Sequence, residues 1–168
     1  METTTIKELA HNVVLYGEAG YDLPNGTTLR LREEPDNDTS LNDWDCYGKV
    51  EWLSGYGSRN RPEHFNGMAE IMRTHRENYW WQPPSFDKQS IAQWYSDSEY
   101  RNSLRNQVRE ILDFGFRVLI LEVCSGEDAY GNPIVKDYTT IGGVEPLIDD
   151  TTTEGYVYDM ILELGITQ

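Results

Sequence analysis

The stretch SEYRNSLRNQVREILDFGFRVLILEV, residues 98–123, predicts the centre of the fold. Its first half puts apolar side chains on one side of a helix, namely Tyr100, Leu104, Val108, Ile111 and Leu112. Gly115 follows the last of them and suits a left-handed C-terminal cap. Residues 117–123 are then almost continuously apolar, which is typical of a strand buried on both faces. We therefore expect a core where this helix and this strand pack together.

Shorter elements are predicted before this stretch. Thr5 and Glu8 fit a capping box, which indicates a first helix over about 5–13. Asn25-Gly26 lies between strand-like flanks and indicates a hairpin, whose second strand alternates over 28–33. A polar loop, residues 34–45, then leads to another alternating strand at 47–53.

The segment 68–82 fits either a helix or strands. Two adjacent prolines, Pro83 and Pro84, end its extended second part, and a hairpin of 68–74 with 79–82 is favoured.

The last third of the chain predicts a hairpin and a helix. A turn-rich segment, residues 125–133, separates the buried strand from a second strand at 134–140, and residues 141–146 are expected to leave the sheet. Thr151 and Glu154 can cap a final helix, whose apolar side chains are Val157, Met160, Ile161 and Leu164.

Together these patterns predict an α+β fold. The 168 residues are enough for one self-sufficient domain, and 38% hydrophobic with 26% charged residues is ordinary for a globular protein. We expect a single compact domain over 1–168: a mostly antiparallel sheet with hairpins, packed against a central helix at about 98–114, with short terminal helices.

The chain is strongly acidic, with 29 acidic and 14 basic residues and a net charge of −15. Such a charge opposes direct binding to nucleic acid or to anionic membranes and favours basic protein partners. Residues 1–58 carry 11 acidic and four basic residues, residues 59–117 carry eight and nine, and residues 118–168 carry ten and one. If the two acidic ends converge, one side of the molecule becomes strongly negative.

The compartment is predicted from cysteines and hydropathy. Cys46 and Cys124 lie far apart with no CxxC pattern, which favours two buried thiols in a reducing compartment. The N-terminus lacks the pattern of a secretory signal, and no apolar run approaches the ~20 residues that span a bilayer. We expect a cytoplasmic protein.

Standard catalytic and metal sites find no support. His11, His64 and His75 lack the spacing of zinc ligands. The acidic loop fails the calcium-binding EF-hand pattern, because its sixth and twelfth positions, counted from Asp36, hold Leu41 and Tyr47. A nuclease motif, a GxSxG, a P-loop and a GxGxxG opening a helix are also missing. We predict no catalytic residue, no metal and no cofactor, and a non-enzymatic role is favoured.

Arginines and aromatic residues in the middle of the chain allow a second interpretation. Arg101, Arg105 and Arg109 form a row beside the apolar side of the central helix, where pairing with nearby acids such as Asp113 is favoured over anion binding. Trp80 and Trp81 are adjacent, so in a strand one should lie in the core and the other is free to be exposed. Core or edge packing is favoured for both and for Trp44, although an exposed Trp44 beside carboxylates would make a good interface residue. A candidate small-molecule pocket would be lined by Trp80, Trp81, Tyr95, Arg101 and Arg105.

A series of short motifs carries a resemblance. NDWDCYG at 42–48, WWQPP at 80–84, LDFGF at 112–116, DAYGNPIV at 128–135 and GGVEP at 142–146 follow in order. Over roughly residues 21–148 the chain resembles a family of small uncharacterised proteins from phages that infect actinobacteria. The resemblance implies no activity and no site residue. It implies the cytoplasm of a host cell, where small accessory proteins often bind and redirect host factors.

These observations favour an accessory protein whose acidic face binds a basic surface of a host protein. Its sharpest form is a DNA mimic or an inhibitor of a host defence enzyme. The predicted partner-binding residues are Asp36, Asp38, Asp43, Trp44, Asp45, Glu127, Asp128, Asp149 and Asp150. The alternatives are a small-molecule-binding protein or minor enzyme with the aromatic and arginine pocket, and a structural or assembly component.

Overall fold

The computed structural model describes residues 5–54, 69–73, 77–82 and 98–166, and confirms the predicted α+β class with mostly antiparallel strands. In chain order the elements are α1 (Ile6–Tyr16), β1 (Tyr21–Asp22), β2 (Thr28–Pro35), β3 (Lys49–Ser54), β4 (Ala69–Arg73), β5 (Glu77–Gln82), α2 (Ser98–Phe114), β6 (Arg117–Glu127), β7 (Pro133–Val144) and α3 (Asp150–Glu163). Single 3₁₀ turns lie at Gly17–Ala19, Leu41–Asp43 and Asp45–Tyr47.

The chain divides into two compact units. Unit 1 contains Met1–Asp36 and Phe116–Gln168, and unit 2 contains Asn37–Gly115. The first and last parts of the chain therefore build one unit together, and the middle of the chain builds the other. The single domain expected over 1–168 stays a prediction.

Unit 1 contains a four-stranded antiparallel sheet in the order β1-β2-β6-β7. Its central pair joins strands that are distant in sequence: β2 and β6 align from Thr28 opposite Cys124 to Pro35 opposite Arg117. The ladder continues one step beyond the strands, where the N–H of Asp36 donates to the carbonyl oxygen of Phe116 at 2.9 Å. Unit 2 is thus an insertion that leaves and re-enters unit 1 at neighbouring points.

One face of this sheet forms the core of unit 1. Alternation along β2 and β6 brings Leu29, Leu31, Leu119 and Leu121 to the same face, where all four are buried. The two terminal helices cover them with Leu9, Ala10, Val13, Val157, Met160 and Ile161. The core around the apolar strand is therefore made with α1 and α3. The 98–114 helix, α2, belongs to unit 2.

The predicted first helix and hairpin are confirmed. Thr5 and Glu8 form a complete capping box, and α1 continues to Tyr16, three residues past the expected end. After it, the N–H of Leu23 donates to the carbonyl oxygen of Thr27 at 2.7 Å, and Gly26 has a φ of +83° that few other residues adopt. The turn predicted at Asn25-Gly26 is therefore confirmed.

The expected exit from the sheet at 141–146 is wrong, because β7 runs to Val144. The carboxylate of Asp36 accepts the N–H of Gly143 at 2.7 Å, and so holds the end of β7 where β6 begins. The expected cap of the last helix is also wrong. Asp149 is the N-cap, and its Oδ1 accepts the N–H of Thr152 at 2.7 Å. A carboxylate there also complements the positive end of the helix.

Unit 2 contains a three-stranded antiparallel sheet in the order β3-β5-β4, which confirms the hairpin favoured for 68–82. The side chain of Asn42 pairs with both backbone groups of Val50, at 3.0 Å and 2.8 Å, as a neighbouring strand would. In α2, the predicted apolar residues Leu104, Val108 and Ile111 are buried. The side chain of Tyr100 lies outside the described residues.

We predict that unit 1 folds without the insertion. Replacing residues 37–115 by an Asn-Gly turn should join β2 and β6 as a hairpin, because Asp36 and Phe116 are already hydrogen-bonded neighbours. Circular dichroism should show mixed helix and strand, and urea should unfold the shortened chain in one cooperative transition.

The same shortened chain with Leu121→Ala is the control. Leu121 is fully buried, and its truncation should lower the free energy of unfolding by about 2–5 kcal/mol. A shortened chain without a cooperative transition would show that unit 1 depends on the insertion.

Candidate functional site

The predicted acidic residues of the first third have different surroundings. Asp36 is half-buried in unit 1 and is engaged with the backbone of Gly143, so its role is to hold the sheet. Asp43 caps a 3₁₀ turn in unit 2, where its Oδ2 accepts the N–H of Ser40 at 2.8 Å. Asp38 is exposed, and the side chain of Asp45 lies outside the described residues. This group is therefore divided between the two units.

Trp44 lies in the same loop and is 42% exposed. Trp44 is thus more exposed than a core residue, whereas core or edge packing is confirmed for Trp80 and Trp81, because both are buried. The indole N–H of Trp81 donates to the carbonyl oxygen of Tyr47 at 2.7 Å.

The acidic residues near the end of β6 belong to a tight turn. Asp128 Oδ1 accepts the N–H groups of Tyr130 and Asn132, each at 2.8 Å, and Oδ2 accepts the side-chain amide of Asn132. These bonds, above all those from Asn132, lower the pKa of Asp128 below its ordinary value. Asp128 thus shapes the β6–β7 turn, while its neighbour Glu127 is exposed.

Asp149 and Asp150 lie at the other end of β7. Glu127 is opposite Pro133, the first residue of β7, whereas Asp149 follows Val144, its last residue, by five positions. The two ends of β7 are about 36 Å apart at a rise of roughly 3.3 Å per residue. Within unit 1, these two acidic groups therefore lie at opposite ends of β7.

Helix α3 holds three acidic residues outside the predicted set, namely Glu154, Asp159 and Glu163. The segment 149–163 contains five carboxylates and no lysine or arginine. Glu154 contacts Nδ1 of His11 in α1 at 2.8 Å, whereas Glu163 accepts a hydrogen bond from the hydroxyl of Thr139 in β7 at 2.6 Å. The helix therefore presents acidic groups on both flanks. A count of charges along the helical pattern would have found them.

The acidic residues at the end of α3 oppose local helix preferences. Asp159 and Glu163 are spaced i,i+4, so their charges repel, and they lie toward the negative end of the helix dipole. The last turn of α3 contains no basic residue to offset them. With exposed Asp137, on the helix side of β7, they define what we call the acidic edge: Asp137, Asp159 and Glu163.

The arginines of unit 1 neutralise other residues. Glu122 is only 5% exposed and accepts hydrogen bonds from Nε of Arg30 and of Arg32, both at 2.9 Å. Arg32 also pairs with Glu34, and Arg117 pairs with Glu33. All three arginines of unit 1 thus form ion pairs with glutamates on β2 and β6, and none of these ion pairs involves α3.

The two cysteines form no disulfide. Cys124 is buried as predicted, but Cys46 is exposed, so that part of the prediction is wrong. Burial, and secondarily the charge of Glu122, raises the pKa of the Cys124 thiol. A thiol that stays protonated is a poor nucleophile.

The candidate aromatic and arginine pocket is only partly described. Its indoles, Trp80 and Trp81, are buried in β5, and Arg105 is exposed on α2. Tyr95 and the side chain of Arg101 lie outside the described residues. The pairing favoured for Arg109 and Asp113 does not occur: both are exposed, and the described part of the chain holds no ion pair between them.

A groove of about 300 Å³ lies between α1 and α3. It is lined by Lys7, Ala10, Thr151, Glu154, Gly155 and Tyr158. A Cβ added at Gly155 would meet no atom within 4 Å, so the groove opens at this glycine. Its volume is at the lower limit of small-molecule sites.

In comparisons with protein-family models, curated proteins and solved structures, nothing matches this chain. Among the helices that the structure describes, none is long and apolar enough to cross a membrane. Across residues 5–54, 69–73, 77–82 and 98–166, no three His, Cys, Asp or Glu side chains are grouped as metal ligands would be.

We predict a specific contribution of Asp149 to the pH dependence of stability. Its hydrogen bonds from Thr152 lower its pKa below the ordinary value of 3.8. Between the pKa of Asp149 in the folded protein and its ordinary pKa, the folded protein therefore binds fewer protons than the unfolded chain. The contribution of Asp149 to stability is complete above the ordinary pKa and is lost as pH falls through the folded pKa.

Urea unfolding of the wild type and Asp149→Asn, between neutral pH and about pH 2.5, tests this prediction. Asparagine keeps the capping oxygen but does not titrate, so the variant's midpoint should fall less steeply on the acid side. Parallel curves would contradict it.

Proposed function

We propose that this protein is a non-enzymatic interaction protein and that the acidic surface of unit 1 binds a basic surface of a host protein. One observation carries the proposal: unit 1 has 17 acidic and five basic residues, whereas unit 2 has 12 and nine. Unit 1 thus accounts for −12 of the net −15. Its three arginines are engaged with glutamates on β2 and β6.

The acidic surface we propose differs from the set chosen from the sequence. Four residues of that set accept hydrogen bonds from backbone N–H groups, so their presence is explained by folding. They are Asp36, Asp43, Asp128 and Asp149. Glu127, Asp150 and Asp159 are exposed, and none makes an ion pair within the described residues. Because Asp159 and Glu163 also oppose the helix dipole, their charge costs stability locally, which is typical of residues retained for binding.

DNA mimicry is the sharper form of the proposal. It supposes that the bound surface of the host protein normally holds phosphates, which also attract arginine and lysine. It predicts that duplex DNA and this protein compete for the same host protein. If the host protein binds duplex DNA and this protein at the same time, DNA mimicry is contradicted, and the proposal is restricted to an acidic interaction protein that does not mimic DNA. The resemblance to proteins of actinobacterial phages motivates an actinobacterial lysate as the source of partners.

The test begins with capture from such a lysate at about 50 mM and about 500 mM salt, because contacts between exposed charges weaken as ionic strength rises. A partner retained at low salt and released at high salt is then purified, and its affinity is measured by titration. Absence of any partner, or a partner indifferent to salt, would contradict the proposal.

We predict opposite effects of Asp159→Lys on binding and stability. Affinity for the captured partner should fall about five-fold or more, since about 1 kcal/mol of electrostatic attraction is lost. The free energy of unfolding should rise by about 0.5–1 kcal/mol, because the repulsion with Glu163 is removed and a cation lies near the C-terminal end of α3.

Asp113→Lys is the matched control. It makes the same change of charge on an exposed residue near the C-terminal end of α2, in unit 2. Its effect on affinity should be less than about two-fold, within the range of remote surface charges. Equal losses in both variants would show that total charge, and not the surface of unit 1, governs binding.

A further inference from the structure

The last strand of the unit 1 sheet, β7, has one unpaired side. It spans 12 residues, and within the described part of the chain it pairs with β6 alone. From Pro133 to Gly143 its residues are exposed or half-buried. Such an edge offers a row of backbone N–H and C=O groups on which an extended peptide can add as another strand.

The two sides of β7 differ in chemistry. On the face away from the helices, Tyr138 is opposite Glu122 and is 63% exposed, and Val135 is opposite Cys124 and is 41% exposed. On the helix side lie Asp137 and Thr139, and Thr139 is hydrogen-bonded to Glu163 of α3. One face of β7 thus exposes Val135 and Tyr138, and the other face adjoins the acidic edge.

The first part of β7 is poorly suited to pairing. Pro133 has no N–H to donate, and the register with β6 shifts beside Lys136. The segment 137–141 pairs with 119–123 without a register shift, and a second shift follows between Ile141 and Val144. Within the segment, the N–H of Tyr138 donates to Oδ1 of Asp137 at 2.9 Å. Its length, about 17 Å, matches an ordinary strand of five residues.

From this arrangement we infer that residues 137–141 of β7 bind an extended basic segment of the partner as an added strand. Because strand side chains alternate, that segment should place basic residues toward Asp137, Asp159 and Glu163 and an apolar residue toward Tyr138. This inference rests on the proposed function and adds its binding mode. A second copy of the chain is disfavoured as occupant, because pairing two edges would bring two units of charge −12 together.

The probe is a synthetic peptide of alternating lysine and valine, about ten residues long, which covers the segment in any register. Its control has the same sequence with N-methyl groups on three consecutive central residues. These groups remove the donors on both edges of the peptide but keep its charge. Binding is measured by titration, and the site is located by amide hydrogen exchange of the full-length protein.

We expect the alternating peptide to slow exchange within 137–141 by about tenfold or more, and the N-methylated peptide to lose most of this protection. Asp137→Asn with Glu163→Gln should weaken binding about five-fold or more, because both replacements keep their hydrogen-bond acceptors but remove two charges. Glu110→Gln with Asp113→Asn, the control pair in α2, should change affinity less than about two-fold.

The outcomes separate this inference from the proposed function. Equal binding of both peptides, or protection outside β7, would overturn the added-strand mode and leave an acidic interaction surface in place. No binding of either peptide at low salt would contradict both. Concentration-dependent protection of β7 without peptide, with a dimer in sedimentation, would replace the basic segment by a second copy and overturn the inference.

Discussion

The pairing of β2 with β6 is the constraint on which unit 1 depends. It aligns residues about ninety positions apart, and the 79-residue insertion has to return to the sheet beside the point where it left. Closing so long a loop costs conformational entropy that only non-local contacts can offset. Leu29, Leu31, Leu119 and Leu121 supply those contacts on one face, because alternation brings all four under α1 and α3.

Ion pairs on the opposite face of the sheet fix the register of β2 with β6. Glu122 accepts a hydrogen bond from Arg30 and another from Arg32, two positions along β2, so a slip of β2 by two residues would break one of them. A buried carboxylate without partners would be costly, which makes the native alignment the one that satisfies it. The same pairing has a consequence for charge. It engages the arginines of unit 1 near the middle of the sheet and leaves the acids of α3 and β7 without them.

The position of β7 follows from the same sheet order. With β2 and β6 in the centre, β7 becomes a long outer strand, and α3 packs back beside it so that Glu163 meets Thr139. Carboxylates from a strand and from a helix are thereby gathered along one edge, although they are up to 26 positions apart in sequence. The structure thus joins a strand edge that pairs with no other described strand to a strongly acidic surface, and both favour an extended basic partner.

Local features of this protein follow from its sequence alone: the capping box of α1, the Asn-Gly turn, the apolar side of α2, the apolar strand β6 and the acidic charge. Each depends on spacing within a few residues, where helix and strand periods act directly. Tertiary structure, in contrast, sets the cover of the sheet by α1 and α3 and the hydrogen bond between Asp36 and Gly143. It also decided that Glu127 and Asp149 lie at opposite ends of β7, while Asp137 and Glu163 lie along one edge. These relations could not be predicted because they depend on which distant strands pair, and the hydrogen bonds of Asp36 and Glu163 exist only after that pairing has formed.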